Sequence, residues 1–467
     1  MTYHMLIDGR LVDGAGQFDV INPATDAAFA QAPYADRAQL DEAVAAAKRA
    51  FPAWAALSYA ERGAYLTQLA DAVEARQDEF AALLTREQGK PLAQSRGEVF
   101  GAIRNLRTHA VMTVETRTLR EDATSRVFEH YTPLGVIAAI TPWNFPLLLF
   151  SQKIAPALVS GNTVVGKPAA TTPLTTLLLG EVAASILPAG VLNIISDRND
   201  LGEALTTHAD VAKISFTGSS ATGRKVFRNA GDALKRLTLE LGGNDAAIIL
   251  DDVDPVKVAP AIFAGATYNA GQVCMAVKRV YAPSAMYDQL CDELGRLARE
   301  AVVDDGANQG AQIGPIQNRA QFEKVKEFLQ EARECGTIVA GGETLERDGY
   351  FVSPTIVRDI PDSARLVREE QFAPILPILR YDDIDDAIAR ANDSEYGLAG
   401  TVWATDVDRG TAVAMKIDTG TVWVNKHLDI APDQPFGGVK QSGFGRENGQ
   451  EGLEAFTQAK IVSVALA

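Results

Sequence analysis

The chain has 467 residues, of which 47% are hydrophobic and 22% are charged. These are ordinary globular values, so they exclude a disordered, collagen-like or coiled-coil protein. A chain of this length exceeds what one hydrophobic core usually organises, which predicts two or more domains. The formal net charge of −16 argues against a nucleic-acid partner and against binding to an anionic membrane surface, and we expect neither.

Cysteine and histidine are too sparse to indicate a disulfide framework or a metal site. The cysteines are Cys274, Cys291 and Cys335, and the histidines are His4, His109, His130, His208 and His427. They form no pattern of zinc-ligand spacing, so we expect no metal ion. The first residues lack the basic and apolar segments of a signal peptide, and the most apolar run, 134–150, is interrupted by two prolines. We therefore expect a cytoplasmic protein without a membrane span.

The residue pattern of the N-terminal third predicts short strands, then helices and then an extended arm. Turn-forming glycines within 6–20 favour short strands. Apolar positions repeat at helical spacing over 36–89, where a second helix is expected after Ala60, and another helix begins near Pro91. The stretch 117–137 alternates in the manner of a hairpin or extended arm.

Two series of buried strands alternating with helices follow. The strands of the first series are GVIAAI (135–140), NTVVGKP (162–168), VLNIIS (191–196) and KISFTG (213–218). The strands of the second series are AAIILDD (246–252), KRVYA (278–282), VSPTIV (352–357), ILPILRY (375–381) and GTVWVN (420–425). This alternation predicts an α/β fold with two doubly wound parallel-sheet domains and with ligands at the carboxyl ends of strands.

The C-terminal segment 455–467 ends in an apolar, strand-like run. An uncovered apolar edge promotes aggregation unless another strand pairs with it. We therefore predict an oligomer in which this tail and the arm pair between subunits. The alternative is a tail strand that pairs within its own chain.

One motif is misleading. The run from Gly161 to Lys167 matches the phosphate-binding pattern G-x-x-x-x-G-K, but Pro168 stands where a magnesium-binding Ser or Thr is needed. Proline also lacks the N–H that would bind a phosphate. The sequence therefore does not indicate a nucleotide triphosphatase.

Other short motifs carry residue types suited to catalysis. Cys274 follows a Gly and a Gln, an environment that suits a reactive thiol. Glu240 lies between leucines before a Gly pair, so we expect a half-buried carboxylate with a raised pKa. Asn144 lies between two prolines that can aim its amide at an oxyanion. Gly218 and Ser219 join a strand to a helix, where anions bind. Each motif alone also fits a purely structural role.

Taken in order, these motifs resemble the aldehyde dehydrogenase superfamily. They are PWNFP (142–146), the Lys-Pro pair 167–168, FTGS-x-x-x-G (216–223), ELGG (240–243), N-x-G-Q-x-C (269–274), EEQFAP (369–374) and PFGGVKQSG (435–443). The resemblance covers almost the whole chain and implies a Rossmann-like cofactor domain, a catalytic domain and a small β oligomerisation arm. The predicted boundaries are 1–113 and 132–241 for the cofactor domain, 242–441 for the catalytic domain, 114–131 and 455–467 for the arm and tail, and 442–454 for the segment returning to the cofactor domain.

The resemblance also implies roles for single residues. Cys274 is similar to the nucleophile that attacks an aldehyde, and Asn144 with the Cys274 N–H would hold the oxyanion. NAD or NADP would take the hydride, and Glu240 would activate the water that hydrolyses the thioester. The cofactor residues implied are Trp143, Lys167, Ala170, Gly218, Ser219, Gly223, Leu241, Glu370 and Phe372. Relatives form homodimers or homotetramers, and we expect the same here.

Departures from the family pattern bear on specificity. Family members that prefer NAD often carry a Glu where this chain has Ala170, so we predict that NADP is tolerated. Asn244 and Asp245 replace the usual continuation after ELGG, and the sequence offers no account of them.

The expected substrate is a small aldehyde. Relatives that oxidise succinate semialdehyde carry arginines where this chain has Gln152 and Tyr268, which argues against a short carboxylate-bearing substrate. The predicted pocket consists of Phe145, Leu149, Gln152, Tyr268, Val273, Met275, His427 and Phe436. This lining favours an aromatic or medium-chain apolar aldehyde. The alternatives are a semialdehyde dehydrogenase, a coenzyme A-acylating enzyme, which Glu240 opposes, and a non-catalytic structural relative.

Overall fold

Two mostly parallel sheets and one small antiparallel sheet organise the chain, in a computed structural model that describes residues 2–466. The helices are α1 (Arg37–Ala55), α2 (Tyr59–Ala75), α3 (Gln77–Gln88), α4 (Leu92–Ala110), α5 (Pro146–Val159), α6 (Leu174–Ala184), α7 (Gly202–Thr207), α8 (Ser220–Gly231), α9 (Pro255–Thr267), α10 (Tyr287–Glu300), α11 (Arg319–Cys335), α12 (Arg365–Arg368), α13 (Ile384–Asn392), α14 (Val407–Ala414) and α15 (Gly449–Glu454), and a 3-10 turn covers Tyr268–Gly271. The strands are β1 (Met5–Ile7), β2 (Arg10–Val12), β3 (Gly16–Asn22), β4 (Ala27–Tyr34), β5 (Arg117–Glu121), β6 (Ser125–Pro133), β7 (Val136–Ile140), β8 (Thr163–Lys167), β9 (Leu192–Ile194), β10 (Val211–Thr217), β11 (Arg236–Glu240), β12 (Asp245–Ile249), β13 (Val277–Pro283), β14 (Thr337–Ala340), β15 (Thr355–Arg358), β16 (Ile375–Tyr381), β17 (Tyr396–Gly397), β18 (Ala399–Trp403), β19 (Thr421–Val424), β20 (Val439–Lys440), β21 (Gly443–Phe444) and β22 (Thr457–Ala465). The predicted α/β class with two parallel sheets is confirmed.

The first sheet has eight strands in the order β2-β1-β9-β8-β7-β10-β11-β21. Strands β9, β8, β7, β10 and β11 are parallel, whereas β1 and β2 at one end and β21 at the other pair antiparallel. Strand β7 precedes both of its neighbours in the chain, so the winding direction reverses between β7 and β10. At such a switch point the connections after the two strands diverge and leave room for a ligand. The segments 141–145 and 218–219 follow these two strands.

The second sheet has seven strands in the order β14-β15-β16-β13-β12-β18-β19, all parallel except for the β14–β15 pair. Residues 241–244 connect it to the end of β11. Separate clusters of buried apolar side chains pack against each sheet, as a chain too long for one core requires. The domain boundaries stay a prediction, and Met1 and Ala467, which end two of the predicted segments, lie outside the described residues.

The arm and the tail form a three-stranded antiparallel sheet, β22-β6-β5, within one chain. Thr457 pairs with Pro133, and the pairing continues without a break to Ala465 and Ser125. The prediction that arm and tail pair between subunits is therefore wrong, because the chain's own arm covers that edge of the tail. The homodimer or homotetramer stays a prediction.

The N-terminal helices are divided more finely than the sequence predicts. Ser58 and Glu61 form a capping box that starts α2 before Ala60, and Arg76 separates α2 from α3. The helix predicted near Pro91 is α4. Among residues 2–466, no helix is long and apolar enough to cross a bilayer.

Candidate active site

A cavity of about 850 Å³ opens where the switch point of the first sheet faces the loops that precede β13 and β16. Its wall includes Asn144, Glu240 and Cys274, which lie in three separate stretches of the sequence. Asn144 follows β7 and Glu240 ends β11, so both come from carboxyl ends of strands. Cys274 instead precedes β13, at the amino end of a strand in the second sheet. The rule of carboxyl-end ligands therefore accounts for only part of the site.

Hydrogen bonds fix the turn that carries Asn144. Its side-chain Nδ2 donates to the carbonyl of Gln272 at 2.9 Å, two residues before Cys274. Its own carbonyl accepts from Lys90 Nζ at 2.7 Å and from Asn269 Nδ2 at 3.1 Å. An amide nitrogen carries two N–H groups, so one remains available to a ligand in the cavity.

A buried ion pair supports this turn. Lys90 pairs with Glu98, and both side chains are fully buried. The other oxygen of Glu98 accepts from the backbone N–H groups of Leu147 at 3.0 Å and Leu148 at 3.2 Å. These amides belong to the first turn of α5, where no partner within the helix exists. Neither charged residue was identified from the sequence, because a Lys and a Glu near a helix start usually face solvent.

The loop before Cys274 has an unusual backbone. Residues 269–271 have φ values of +50°, +55° and +71°, a left-handed run that costs about 1–2 kcal/mol per non-glycine residue. A Cβ on Gly271 would lie 2.4 Å from the carbonyl oxygen of Ala373, so this position requires glycine. Gln272 Nε2 donates back to the first carbonyl of the turn at 2.9 Å. The N-x-G-Q spacing thus builds a tight turn that ends at the thiol.

The surroundings of Cys274 disfavour its thiolate. Burial raises the pKa of the Cys274 thiol to about 12, and the carboxylates of Glu370, Glu240 and Asp245 act in the same direction. Lys278 opposes them, and its Nζ donates to the carbonyl of Cys274 at 2.6 Å. At neutral pH the thiol is therefore protonated in this geometry.

Glu240 is buried, with 5% of its surface exposed, rather than half-buried as the sequence predicts. Burial raises the pKa of the Glu240 carboxyl, and the neighbouring Glu447 carboxylate raises it further. Within the described residues, Glu240 Oε1 has no hydrogen-bond partner. Glu447 is held by Lys153, with Oε1 and Nζ 2.5 Å apart. A carboxyl with a raised pKa and a free oxygen is suited to accept a proton as a general base.

Part of the cavity wall fits a dinucleotide. Trp143 and Phe372 meet edge to face with ring centroids 5.3 Å apart. Gly218 and Ser219 line the wall at the start of α8, where backbone N–H groups can bind phosphate. The Glu370 carboxylate also lines the cavity and can accept hydrogen bonds from ribose hydroxyls. These residues together suit the phosphates and a ribose of NAD or NADP.

Three predicted cofactor residues, Lys167, Ala170 and Gly223, do not line this cavity. Lys167 Nζ donates to Asp197 Oδ1 at 2.6 Å in a buried pair, and Asp197 was not identified from the sequence. A Cβ on Gly223 would lie 2.4 Å from Leu241 Cδ2, so this glycine lets α8 approach the end of the first sheet. Leu241 itself lines the cavity.

The predicted substrate residues all line the cavity: Phe145, Leu149, Gln152, Tyr268, Val273, Met275, His427 and Phe436. The rings of Phe145 and Tyr268 are nearly parallel, with an interplanar angle of 10° and centroids 6.2 Å apart. Gln152 is 9% exposed. His427 Nε2 donates to the carbonyl of Met275 at 2.7 Å, and burial lowers the pKa of His427 to about 4. The imidazole is therefore neutral at neutral pH.

Helix α4 adds wall residues that the sequence analysis missed: Gly97, Glu98, Gly101, Arg104 and Asn105. Their spacing of three or four residues places them on one side of the helix. A Gly-x-x-x-Gly pair in a helix is also typical of close helix packing, so the sequence alone does not distinguish it from a ligand-facing surface.

Comparisons with known proteins agree with this geometry. The model of the aldehyde dehydrogenase family matches residues 11–462. An aldehyde dehydrogenase from a Fusarium species is 39% identical over 464 residues, covering 99% of this chain and 98% of its own length. The NADP-dependent succinate-semialdehyde dehydrogenase of Escherichia coli K12 is 37% identical over 472 residues, covering 99% and 97%. The solved NAD+ complex of an aldehyde dehydrogenase from Bacillus cereus has a TM-score of 0.98 at 35% identity, covering 100% of this chain and 97% of that one.

Proposed function

This chain belongs to the aldehyde dehydrogenase family, and on that premise we propose that it oxidises an aldehyde to the carboxylic acid through a covalent intermediate on Cys274. Members of the family oxidise aldehydes with NAD or NADP. The observation that carries the proposal is that Cys274, Asn144 and Glu240 share one cavity wall, next to residues that suit a dinucleotide. A non-catalytic relative would have no need to keep this set together.

In the first step, the Cys274 sulfur attacks the aldehyde carbon, and the thiol proton passes to the Glu240 carboxylate, which releases it to solvent before the second step. The carbonyl oxygen becomes an anion that two N–H groups can hold, one from the Asn144 amide and one from the Cys274 backbone. Within residues 2–466 that backbone N–H donates to no other backbone group. Such preorganised donors stabilise the charge that develops in the transition state.

In the second step, a thioester forms on Cys274 and is hydrolysed. When bound, NAD or NADP supplies the acceptor for the hydride that leaves the former aldehyde carbon. Glu240 then takes a proton from water, the water oxygen attacks the thioester, and the Cys274 sulfur leaves as the acid forms. The presence of Glu240 favours this hydrolytic route over transfer of the acyl group to coenzyme A.

Two variants test these roles. Cys274→Ala should abolish oxidation and leave the cofactor dissociation constant, measured by fluorescence titration, within about twofold. Glu240→Gln should accumulate a thioester that quenched-flow mass spectrometry detects on the peptide containing residue 274. Cys291→Ala is the matched control, because Cys291 is buried in α10 away from the cavity. Oxidation by Cys274→Ala would overturn the proposal, and a wild-type steady-state rate in Glu240→Gln would overturn the role of the base.

The cofactor preference depends on charge near the adenosine ribose, which we place at Lys167 by resemblance. Ala170 offers no carboxylate to repel a 2′-phosphate, which supports use of NADP. Asp197 acts against this, because its carboxylate neutralises Lys167. We expect kcat/KM values for NAD and NADP that differ by less than about a hundredfold, or about 3 kcal/mol. Asp197→Asn should tighten NADP binding in a fluorescence titration more than NAD binding, and a NAD preference above a hundredfold would refute the role of Ala170.

The pocket supports an aromatic or medium-chain apolar aldehyde. Phe145 and Tyr268 offer two parallel aromatic faces, and no arginine stands at position 152 or 268 to neutralise a short acid. A panel of aliphatic, aromatic and semialdehyde substrates tests this expectation. A highest kcat/KM with succinate semialdehyde would instead support the alternative function, which is the activity named for the Escherichia coli relative.

A further inference from the structure

We propose that Arg104 binds a carboxylate at the far end of the aldehyde, so that the preferred substrate has an apolar or aromatic body and a distal acid group. This inference rests on the proposed function, because it names the substrate class of the same site. It also refines the argument against acidic substrates, which applies only to short ones.

Helix α4 carries three arginines, and two of them are held by carboxylates. Arg96 lies 3.2 Å from Asp78, and Arg107 lies 2.7 Å from Asp71. Arg104 stands between them, is exposed, and lines the cavity. Across residues 2–466 its side chain has no hydrogen-bond or ion-pair partner, so its guanidinium is available to a ligand. A guanidinium can bind a carboxylate through two parallel hydrogen bonds.

The two other cations of the cavity wall are Lys426, which is paired with a carboxylate, and Lys324, which lies beside the part of the wall that suits the cofactor. Lys426 Nζ lies 2.6 Å from Asp429 Oδ2. Lys324 Nζ donates to the backbone carbonyl of Glu370 at 3.1 Å, near the part of the wall that suits the cofactor. An anionic substrate group would therefore meet its free positive partner at Arg104.

Gly97 leaves space for a substrate along α4 towards Arg104. Gly97, Gly101 and Arg104 are spaced four and three residues apart, so they share one side of the helix. A Cβ on Gly97 would have only the Tyr268 hydroxyl near it, at 3.9 Å, whereas one on Gly101 would lie 3.2 Å from Leu148 Cδ1, so Leu148 already packs against Gly101. The helical rise separates the Cα atoms of Gly97 and Arg104 by about 10 Å. A substrate body that passes Tyr268 can thus extend along this surface to the guanidinium.

Gln152 supplies a second polar group on the same wall. Its side chain is 9% exposed, lines the cavity, and has no hydrogen-bond partner among the described residues. Because Gln152 and Tyr268 are both uncharged, a carboxylate close to the thiol would lose its hydration without gaining a cation. A carboxylate that reaches Arg104 gains a cationic partner in exchange for its lost hydration. The arrangement therefore selects by the distance between the aldehyde and the acid.

Matched substrate pairs test the inference. We would measure kcat/KM for 9-oxononanoate against nonanal, for 4-carboxybenzaldehyde against 4-methylbenzaldehyde, and for succinate semialdehyde against butanal. In the wild type, the long acid should exceed its neutral partner and the short acid should not. Arg104→Gln should lower the acid-to-neutral ratio of the long pair about tenfold, mainly through KM. Arg104→Glu should invert the preference, and 0.5 M salt should reduce it in the wild type.

The control variant is Arg107→Gln, which removes a neighbouring arginine that does not line the cavity. It should leave every acid-to-neutral ratio unchanged. Equal ratios in Arg104→Gln and the wild type would overturn the inference. If the wild type oxidised no aldehyde at all, the proposed function would fail instead. Calorimetric binding of the dicarboxylate azelate to the wild type and to Arg104→Gln would then still decide the role of Arg104, since equal affinities would overturn it.

Discussion

The electrostatics of the cavity predict that Cys274 reacts slowly with alkylating agents when no cofactor is bound. Its pKa of about 12 lies well above the ordinary value of 9.0. Three pH units reduce the thiolate fraction at neutral pH about a thousandfold, which corresponds to about 4 kcal/mol. Because the thiolate is the nucleophile, iodoacetamide should modify Cys274 about a thousand times more slowly than free cysteine at pH 7.5. The rate should rise about tenfold per pH unit to beyond pH 10.

The Glu240→Gln variant separates the charge of this residue from its role as a base. Loss of a nearby carboxylate lowers the pKa of the Cys274 thiol, so alkylation should become faster above pH 8 while aldehyde oxidation becomes slower. Both rates should be measured in a Cys335→Ser background, because Cys335 is exposed and would react first. Peptide mass spectrometry then follows the remaining thiols, with buried Cys291 as an internal reference. Wild-type alkylation as fast as that of free cysteine, or slower alkylation in Glu240→Gln, would refute this electrostatic account.

Three further substitutions test single features of the site and its support. Asn144→Ala should lower kcat about 10²–10³-fold in steady-state assays, because it removes an oxyanion donor. Gly271→Ala should lower the free energy of unfolding by about 1–3 kcal/mol in urea titrations, because it combines a left-handed φ with a steric clash. Lys213 is buried, and burial lowers its pKa to about 7, so the unfolded chain binds more protons between pH 7 and 10 and stability rises with pH there. Lys213→Met should remove that rise between urea midpoints measured at pH 7 and at pH 9.5.

The two sheets could be predicted from the sequence because their strands are buried on both faces and so appear as unbroken apolar runs. The partner of the tail strand could not. An apolar edge shows that some strand must cover it, but not whether that strand belongs to the same chain or to another. The structure supplies what the pattern lacks, since Thr457 through Ala465 pair in register with the chain's own arm.

The candidate site, too, could be predicted from the sequence only in part. Motifs in a familiar order predicted which side chains meet, but not what holds them. Lys90 and Glu98 belong to no recognised motif, although they fix the turn of Asn144 through hydrogen bonds to the carbonyl of Asn144 and from the N–H of Leu147. Arg104 was missed because an exposed arginine on a helix is ordinary. Two structural features distinguish it from other surface arginines: its side chain has no ion-pair partner among residues 2–466, and it lines the cavity. Such features depend on which surfaces the fold brings together.

The Gly pair after Glu240 explains how the two sheets hold the proposed base, Glu240, and the proposed nucleophile, Cys274, in place. A Cβ on Gly243 would lie 2.4 Å from the carbonyl oxygen of Cys274, and one on Gly242 would lie 2.5 Å from Glu370 Oε2. Gly243 N also donates to Glu370 Oε1 at 3.0 Å. The link between the sheets therefore touches the backbone of the nucleophile and the carboxylate assigned to the cofactor. Asn244, the next residue of the link, donates from its side-chain Nδ2 to the carbonyl of Val367 at 2.8 Å. Because the strand that ends in Glu240 leads directly into this link, the proposed base and the proposed nucleophile share one support, although they come from different sheets.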